Sequence, residues 1–190
     1  MVNIPPNAPL VYVSFSAEIN ASTTERLIAV MAECVNLNVQ NVTLLISSSG
    51  GKVMEGLNLY NFLKGAPFNL TTHNAGNIDS ISNAIFLAGE TRYSCQHSTF
   101  MFHGVGFDVT NQRIEQKNLE EMHDNLMSDQ KRIGDIISEC SSLNDEEVTA
   151  LFRQAQTKNA EYALSCGIIH EIREIEIVSG VPVIPLVFQR

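Results

Sequence analysis

The first half of the chain alternates between short apolar stretches and segments whose apolar residues recur every three or four positions. Residues 10–16 and 42–46 have the pattern of buried strands, whereas residues 23–35 and 53–63 have helical periodicity. An alternation of this kind predicts an α/β fold, in which helical crossovers connect the strands of a mainly parallel sheet.

The same pattern continues for another forty residues or so. We expect strands at residues 69–73, 92–95 and 99–102, with a short buried helix at residues 81–87 after the first of them. The apolar runs are short and are separated by polar or glycine-containing turns, as the strands of a buried sheet are.

The second half of the chain is more polar. Residues 111–142 predict one long helix, because a thin stripe of apolar side chains runs through an otherwise polar segment. A helix of roughly 30 residues is ~45 Å long, which exceeds what the core of a small domain needs. We therefore expect this helix to protrude and to pack against something outside the protomer. The alternative is that it folds back along its own sheet.

The remaining segments complete a single predicted domain that spans residues 1–190. Two prolines keep the apolar C-terminal tail, residues 181–190, extended. The other predicted parts are an N-terminal extension at 1–9, helices at 145–152 and 159–165, and a strand at 168–177.

The composition excludes several classes of function. The net charge of −9 argues against a protein that binds nucleic acid or an anionic membrane. The four cysteines are far apart and show no CxxC spacing, so we expect neither disulfides nor a metal site. No apolar run approaches the ~20 residues of a membrane span, and the N-terminus lacks the pattern of a signal peptide. We expect a cytoplasmic protein.

Three polar features lie where predicted strands end. A Gly50-Gly51 turn follows the second strand, Ser80 opens the buried helix, and His103 follows the strand at 99–102. Each has an ordinary structural interpretation, as a tight turn, a helix cap or a core histidine. Ligands in open α/β sheets gather at the carboxyl ends of strands, however, and a hydroxyl beside an imidazole is the pair that an activated serine needs. The turn lacks the pattern of a P-loop.

These anchor points resemble the proteolytic subunit of the ATP-dependent Clp protease. In that family a Ser-Pro-Gly-Gly turn precedes the nucleophilic serine; here Ser49 replaces the proline. The resemblance covers about residues 10–175 and implies a Clp/crotonase-like parallel-sheet spiral with helical crossovers. It also implies that the long helix at 111–142 is an oligomerisation handle. The matching motifs are Gly50-Gly51, Gly76-x-x-x-Ser80 with Ala88-Gly89, and Met101-Phe102-His103.

Carried over to this sequence, the resemblance makes the chain a serine endopeptidase that needs no cofactor or metal. Ser80 is then the nucleophile, His103 its general base, and the backbone N–H groups of Gly51 and Ile81 the oxyanion hole. The implied substrates are peptides or unfolded proteins, cleaved inside a homo-oligomeric ring or two stacked rings. An ATPase unfoldase remains open as a partner, since few residues precede the first strand.

Two departures from the family pattern affect the site. Ala155 occupies the position where the family has the acid of its triad, so the sequence predicts a Ser-His dyad. Asp79 directly precedes the nucleophile, where we expect a small apolar residue. The residues that could orient the histidine instead are Gln154, Gln156, Asn159 and Glu171.

Three alternatives remain open on the sequence. The missing acid and Asp79 fit a weak or inactive paralogue with a role in assembly or regulation. A crotonase-like acyl-CoA enzyme would need Asp79 or Glu90 as its catalytic acid. A serine–lysine peptidase would use Lys52 or Lys117 in place of His103.

Overall fold

A computed structural model describes residues 4–107 and 113–188. Its sheet runs in the order β6-β5-β3-β2-β1-β8, and β4 and β7 continue from one end of β3. Every pairing is parallel except that of β5 with β6. The strands are β1 (Val11–Ser16), β2 (Asn41–Ser48), β3 (Asn69–Asp79), β4 (Thr91–Ser94), β5 (Thr99–Met101), β6 (Thr157–Asn159), β7 (Glu171–Ile172) and β8 (Val183–Leu186).

Helices connect the parallel strands, as a parallel sheet requires. Asn20 caps the first of them with a capping box. Its side chain accepts from Thr23 N, and its own N–H donates to the Thr23 hydroxyl. The helices are α1 (Ala21–Asn36), α2 (Val53–Gly65), α3 (Ser82–Leu87), α4 (Gln116–Glu139), α5 (Asp145–Gln154) and α6 (Ala160–Ser165).

The packed interior is one cluster of apolar side chains between the sheet and its helices. Its largest members include Phe15, Phe86, Phe100 and Phe102, all with no more than 1% of their surface exposed. Phe86 of α3 meets Phe100 of β5 edge to face, with ring centroids 5.4 Å apart. This contact packs the short helix against the strand that leads to His103. No helix in the described part of the chain is long and apolar enough to cross a membrane.

Strand β3 is longer than its sequence predicts. The expected strand ends at residue 73, whereas the observed one continues to Asp79, directly before Ser80. Its first part pairs with β4 and its last three residues pair with β5. The continuation contains glycine and asparagine, which are poor strand formers, and side chains hold it in place. Asn74 Nδ2 donates to Thr99 O at 2.9 Å, and Ser47 Oγ donates to Asn77 Oδ1 at 2.8 Å.

The C-terminal third differs from the expectation in two places. The strand predicted at 168–177 is wrong in extent, because only Glu171–Ile172 pairs with β4 and the chain then leaves the sheet. Strand β6 was not predicted, since its three residues, Thr-Lys-Asn, are polar and carry no apolar alternation. The apolar tail contributes β8 to the sheet edge beside β1, and residues 189–190 lie outside the described part.

The long polar helix is α4, and its two halves differ in burial. Ile133, Ile136 and Ile137 are buried near its C-terminal end. Leu119 and Met127 of the N-terminal half are 56% and 49% exposed. The N-terminal half thus leaves the core, and a partial apolar stripe remains uncovered. The predicted segment 111–142 begins with residues 111–112, which lie outside the described part.

Arg92 joins the C-terminal ends of three segments. It is only 8% exposed, and its guanidinium donates four hydrogen bonds to main-chain carbonyls rather than to a carboxylate. Burial lowers the pKa of this guanidinium from its usual value. Because guanidinium presents five N–H donors in a fixed plane, one side chain can satisfy several carbonyls. The acceptors are Gly89 O, Cys140 O, Gly167 O and Ile168 O, at 3.1, 2.8, 3.0 and 2.7 Å.

We predict that Arg92→Met destabilises the protein by about 3 kcal/mol, because it leaves buried carbonyls without donors. Urea unfolding measures this loss. Arg132→Met is the matched control, since Arg132 forms a surface pair with Asp129 at 3.2 Å and its removal costs less than about 1 kcal/mol. Equal losses in the two variants would contradict the role given to Arg92.

Candidate active site

Ser80 lies in the turn between β3 and α3 with a left-handed backbone, at φ 56°. A non-glycine residue in this region is strained and is held there by its surroundings. Its N–H donates to Met101 O at 2.9 Å, at the end of the neighbouring strand β5. On the other side, a Cβ added to Gly50 would lie 2.6 Å from Ser80 Cβ. A residue with a side chain at position 50 would therefore clash with Ser80, and glycine avoids this clash.

His103 follows β5 by two residues and faces the same cavity as Ser80. The cavity has a volume of about 280 Å³, and Gly51 and Ile81 also line it. The four predicted site residues come together because β3 and β5 run parallel and end at one edge, with Asp79 opposite Met101. Within the described residues no hydrogen bond joins Ser80 to His103. Such bonds are often long in unliganded sites and tighten when substrate binds.

The contact at the other side of the His103 ring sets its tautomer. His103 Nδ1 lies 2.8 Å from the carbonyl oxygen of Gly104. Since a carbonyl oxygen can only accept, this hydrogen bond places the ring proton on Nδ1. Nε2 is then the nitrogen with a free lone pair, as a general base requires.

Two residues that line the cavity, Gly51 and Ile81, have backbone N–H groups without a protein acceptor in residues 4–107 and 113–188. Gly51 pairs with Ile19 in a parallel bridge, in which Gly50 O and Lys52 N make the hydrogen bonds. The N–H of Gly51 itself consequently points away from Ile19. The N–H of Ile81 is at the start of α3, where the first amides have no partner within the helix. Unpartnered N–H groups of this kind can bind an oxyanion.

Apolar side chains form the rest of the cavity wall. They come from α2, α4 and α5 as well as from the segment after β5. Such a lining accommodates an apolar side chain better than a charged one. The apolar lining residues are Val53, Phe102, Val105, Phe107, Ile133, Ile137 and Phe152.

A family model described as Clp protease matches residues 11–176 of the chain. The chain belongs to the Clp protease family. The resemblance stated from the sequence motifs is therefore confirmed, and its matched range includes Ser80, His103 and both N–H donors.

Two relatives in the Clp protease family have similar sequences over 142 residues. The chain is 24% identical to the ATP-dependent Clp protease proteolytic subunit 1 of Chlamydia felis (strain Fe/C-56), over 70% of this chain and 65% of the relative. It is 25% identical to the corresponding subunit 2 of Chlamydia abortus (strain DSM 27085 / S26/3), over 70% of this chain and 64% of the relative. The chain thus spans just under two thirds of the length of these curated relatives.

The solved structure of a ClpP1 mutant from Listeria monocytogenes has a similar fold. The TM-score is 0.76 at 21% sequence identity, and the match covers 86% of this chain and 91% of that one. The predicted Clp/crotonase-like α/β fold is thereby confirmed. At this level of identity the likeness concerns the fold alone.

The position predicted to lack the family acid is Ala155. It ends α5 with a left-handed backbone, at φ 48°. Met101 pairs with Thr157 and Phe100 with Lys158 in the antiparallel β5–β6 ladder. Ala155 and His103 each lie two residues beyond the same end of this ladder. The methyl group of an alanine can neither accept the proton of Nδ1 nor stabilise a charged ring.

Three of the four other candidates for orienting His103 have side-chain hydrogen bonds elsewhere, and the fourth, Glu171, lies on another strand. Gln154 and Gln156 both accept from Lys158 Nζ, at 3.1 and 3.5 Å. Asn159 caps α6 by accepting from Tyr162 N. Glu171 is on β7, opposite Tyr93. The Gly104 carbonyl takes this place in the structure, and a main-chain group carries no signal in the sequence.

The carboxylate beside Ser80 is held by a neighbouring amide. Asn77 Nδ2 donates to Asp79 Oδ2 at 2.6 Å, and the half-buried Asp79 does not line the cavity. The groups required by the alternative mechanisms also lie outside its lining. Glu90 and Lys52 are exposed, and Lys117 forms a surface pair with Glu121 at 3.6 Å.

Asn83 contacts the Ser80 turn and belongs to none of the motifs described above. Its side chain donates to Ser80 O and to Met101 O, both at 2.9 Å. The available signal was an amide inside the mostly apolar helix at 81–87, since a buried amide needs a partner.

We predict that Ala155→Asp accelerates the reaction of Ser80 with a fluorophosphonate by about ten-fold or more. A carboxylate at this position, at the same end of the β5–β6 ladder as His103, would accept from Nδ1–H in place of the Gly104 carbonyl and stabilise the imidazolium that forms. The rate is measured by labelling at several probe concentrations. Ala155→Asn is the control, because Asn also tolerates the left-handed backbone but carries no charge. An unchanged rate in the Asp variant would contradict the placement of this residue beside the histidine.

Proposed function

We propose that this Clp protease family member is a serine endopeptidase that uses a Ser80–His103 dyad. The observation that carries the proposal is the strained Ser80 turn, which opens into a cavity shared with His103 and two unpartnered N–H groups. A strained serine at a strand-to-helix turn is the arrangement that exposes a nucleophilic hydroxyl.

Ser80 and His103 carry out the proposed hydrolysis of the peptide bond in two steps, acylation and deacylation. His103 Nε2 accepts the proton of Ser80 Oγ while the oxygen attacks the scissile carbonyl carbon. The resulting oxyanion accepts hydrogen bonds from Gly51 N–H and Ile81 N–H, each worth roughly 2.7–4 kcal/mol in the transition state. His103 then protonates the leaving amine, and an acyl-enzyme remains on Ser80. A water molecule, deprotonated by His103, releases the acid and restores the hydroxyl.

The Gly104 carbonyl is a weaker partner for His103 than a carboxylate. It fixes the tautomer of the ring but adds no negative charge to stabilise the imidazolium. We therefore expect slower turnover than a complete triad would give. The substrates of the proposed peptidase are peptides or unfolded proteins. The apolar cavity accommodates an apolar side chain next to the scissile bond.

The partners of the chain are part of the same proposal. The exposed N-terminal half of α4, with Leu119 and Met127, fits a handle that packs against another copy in a ring or in two stacked rings. We leave open whether an ATPase that delivers unfolded protein also binds the chain. The four cysteines are free in the structure, which fits the reducing cytoplasm.

We predict that a fluorophosphonate probe labels the intact protein at Ser80 and that Ser80→Ala abolishes this labelling. Only an activated hydroxyl reacts quickly with the probe. Peptide mapping by mass spectrometry identifies the labelled residue. The control is Ser165→Ala, which removes an exposed serine of α6 far from the cavity and leaves labelling unchanged.

Absence of labelling in the unmodified protein would contradict the proposal. A folded, assembled and unlabelled protein would instead favour the paralogue with a role in assembly, for which Ala155 is the supporting observation. Labelling that survives in Ser80→Ala would move the nucleophile to another residue.

A further inference from the structure

We infer that Asn83 is a positioning residue, whose side-chain amide sets the place of Ser80 relative to His103. This inference rests on the proposed function. It concerns a residue of α3 that does not line the cavity and does not touch the substrate.

The amide of Asn83 bridges the two segments that carry the dyad. Its Nδ2 donates to Ser80 O and Met101 O, at 2.9 Å in each case. Ser80 is the nucleophile itself, and Met101 precedes His103 by two residues. One side chain thereby joins the nucleophile turn to the end of the strand that leads to the base.

The two carbonyls do not need this amide for their own hydrogen bonding. Ser80 O also accepts from Asn83 N at 3.1 Å, and Met101 O also accepts from Ser80 N at 2.9 Å. If the side-chain amide were absent, both oxygens would keep a donor. The structure would then lose a connection but would not gain an unsatisfied carbonyl.

The burial of Asn83 makes a purely stabilising role a poor explanation. The residue is 1% exposed, and its Oδ1 has no hydrogen-bond partner in the part of the chain that is described. A buried acceptor without a donor costs about as much as the two hydrogen bonds contribute. An alanine would remove the bonds and the unsatisfied oxygen together. Stability alone therefore gives little reason for an amide at this position.

What the amide does provide is a fixed geometry. Without the amide, only the N–H of Ser80 ties the turn to β5 among the described residues, and only the N–H of Asn83 holds Ser80 O. His103 Nε2 must nevertheless meet Ser80 Oγ within hydrogen-bond reach. A misplacement of about 1 Å between reacting groups can cost 100-fold in rate. Loss of the bridge would therefore lower the rate of chemistry more than the affinity for substrate.

The test compares Asn83→Ala with Thr72→Val in the full-length protein. Thr72 is also fully buried, and its hydroxyl donates to Phe86 O at 2.7 Å, near the other end of α3. Thr72→Val thus removes a side-chain hydrogen bond that β3 donates to the same helix, α3, and it leaves the contacts of Ser80 and Met101 unchanged. The measurements are kcat and KM on a peptide substrate, the rate of fluorophosphonate labelling at Ser80, and Tm.

We expect Asn83→Ala to lower kcat and the labelling rate at least ten-fold, with KM within two-fold of the original and Tm no lower than that of Thr72→Val. Thr72→Val keeps its kcat and labelling rate. Normal kcat in a folded Asn83→Ala, or equal losses in both variants, would overturn the inference. If Asn83→Ala does not fold, Asn83→Ser is judged by the same criteria, and failure of both to fold would show a structural role and overturn it as well.

The same experiment separates this inference from the proposed function. If the unmodified protein is not labelled at Ser80, the proposed function fails. If it is labelled and Asn83→Ala is labelled equally fast, the proposed function stands and only the role of Asn83 is lost.

Discussion

The hydrogen bond from Ser80 N–H to Met101 O is the interaction on which the candidate site depends. It continues the pairing of β3 with β5 by one step, at the point where the chain turns into α3. Without it, the nucleophile turn and the histidine strand would end at the same edge but at no set distance. With it, Ser80 takes the left-handed conformation, and the following residue, Ile81, caps α3 and lines the cavity.

The surrounding structure is arranged to permit that turn. Gly50 leaves room for Ser80 Cβ, and Gly51 approaches Ile19 so closely that an added Cβ would lie 2.1 Å from its carbonyl oxygen. Gly56 likewise makes room for the side chain of Ile81. Gly50 and Gly56 therefore admit close packing against Ser80 and Ile81, and Gly51 admits the close approach of Ile19. A site of this kind is expensive to form, because it combines a strained serine with crowded backbone.

Much of this arrangement could be predicted from the sequence, because its signals are local. The apolar runs of β1, β2 and β5 and the helical periodicity of α1 and α2 are readable from consecutive residues. The end of β3 and strand β6 depend on partners far away in the chain, whereas the Gly104 contact is made by a neighbouring main-chain carbonyl. A polar segment such as Thr157–Asn159 becomes a strand only because β5 offers it an edge, and a carbonyl that orients a histidine has no residue type to mark it.

The missing acid at Ala155 and the amide of Asn83 suggest how the site departs from a full triad. The histidine keeps its tautomer through a neighbouring carbonyl, and its alignment with the serine falls to connections behind the nucleophile. The two devices act on different parts of the reaction. In the proposed reaction the first sets the proton on the ring, and the second acts with the Ser80 N–H bond to Met101 O to set the distance over which the proton moves.

The most direct test of the central claim is a crystal structure of the protein with a peptide boronic acid. The account predicts a covalent bond from boron to Ser80 Oγ, with one boronate oxygen about 2.7–3.1 Å from both Gly51 N and Ile81 N and His103 Nε2 beside the adduct. A boronate bound at another residue, or one attached to Ser80 with its oxygens directed away from both N–H groups, would contradict it.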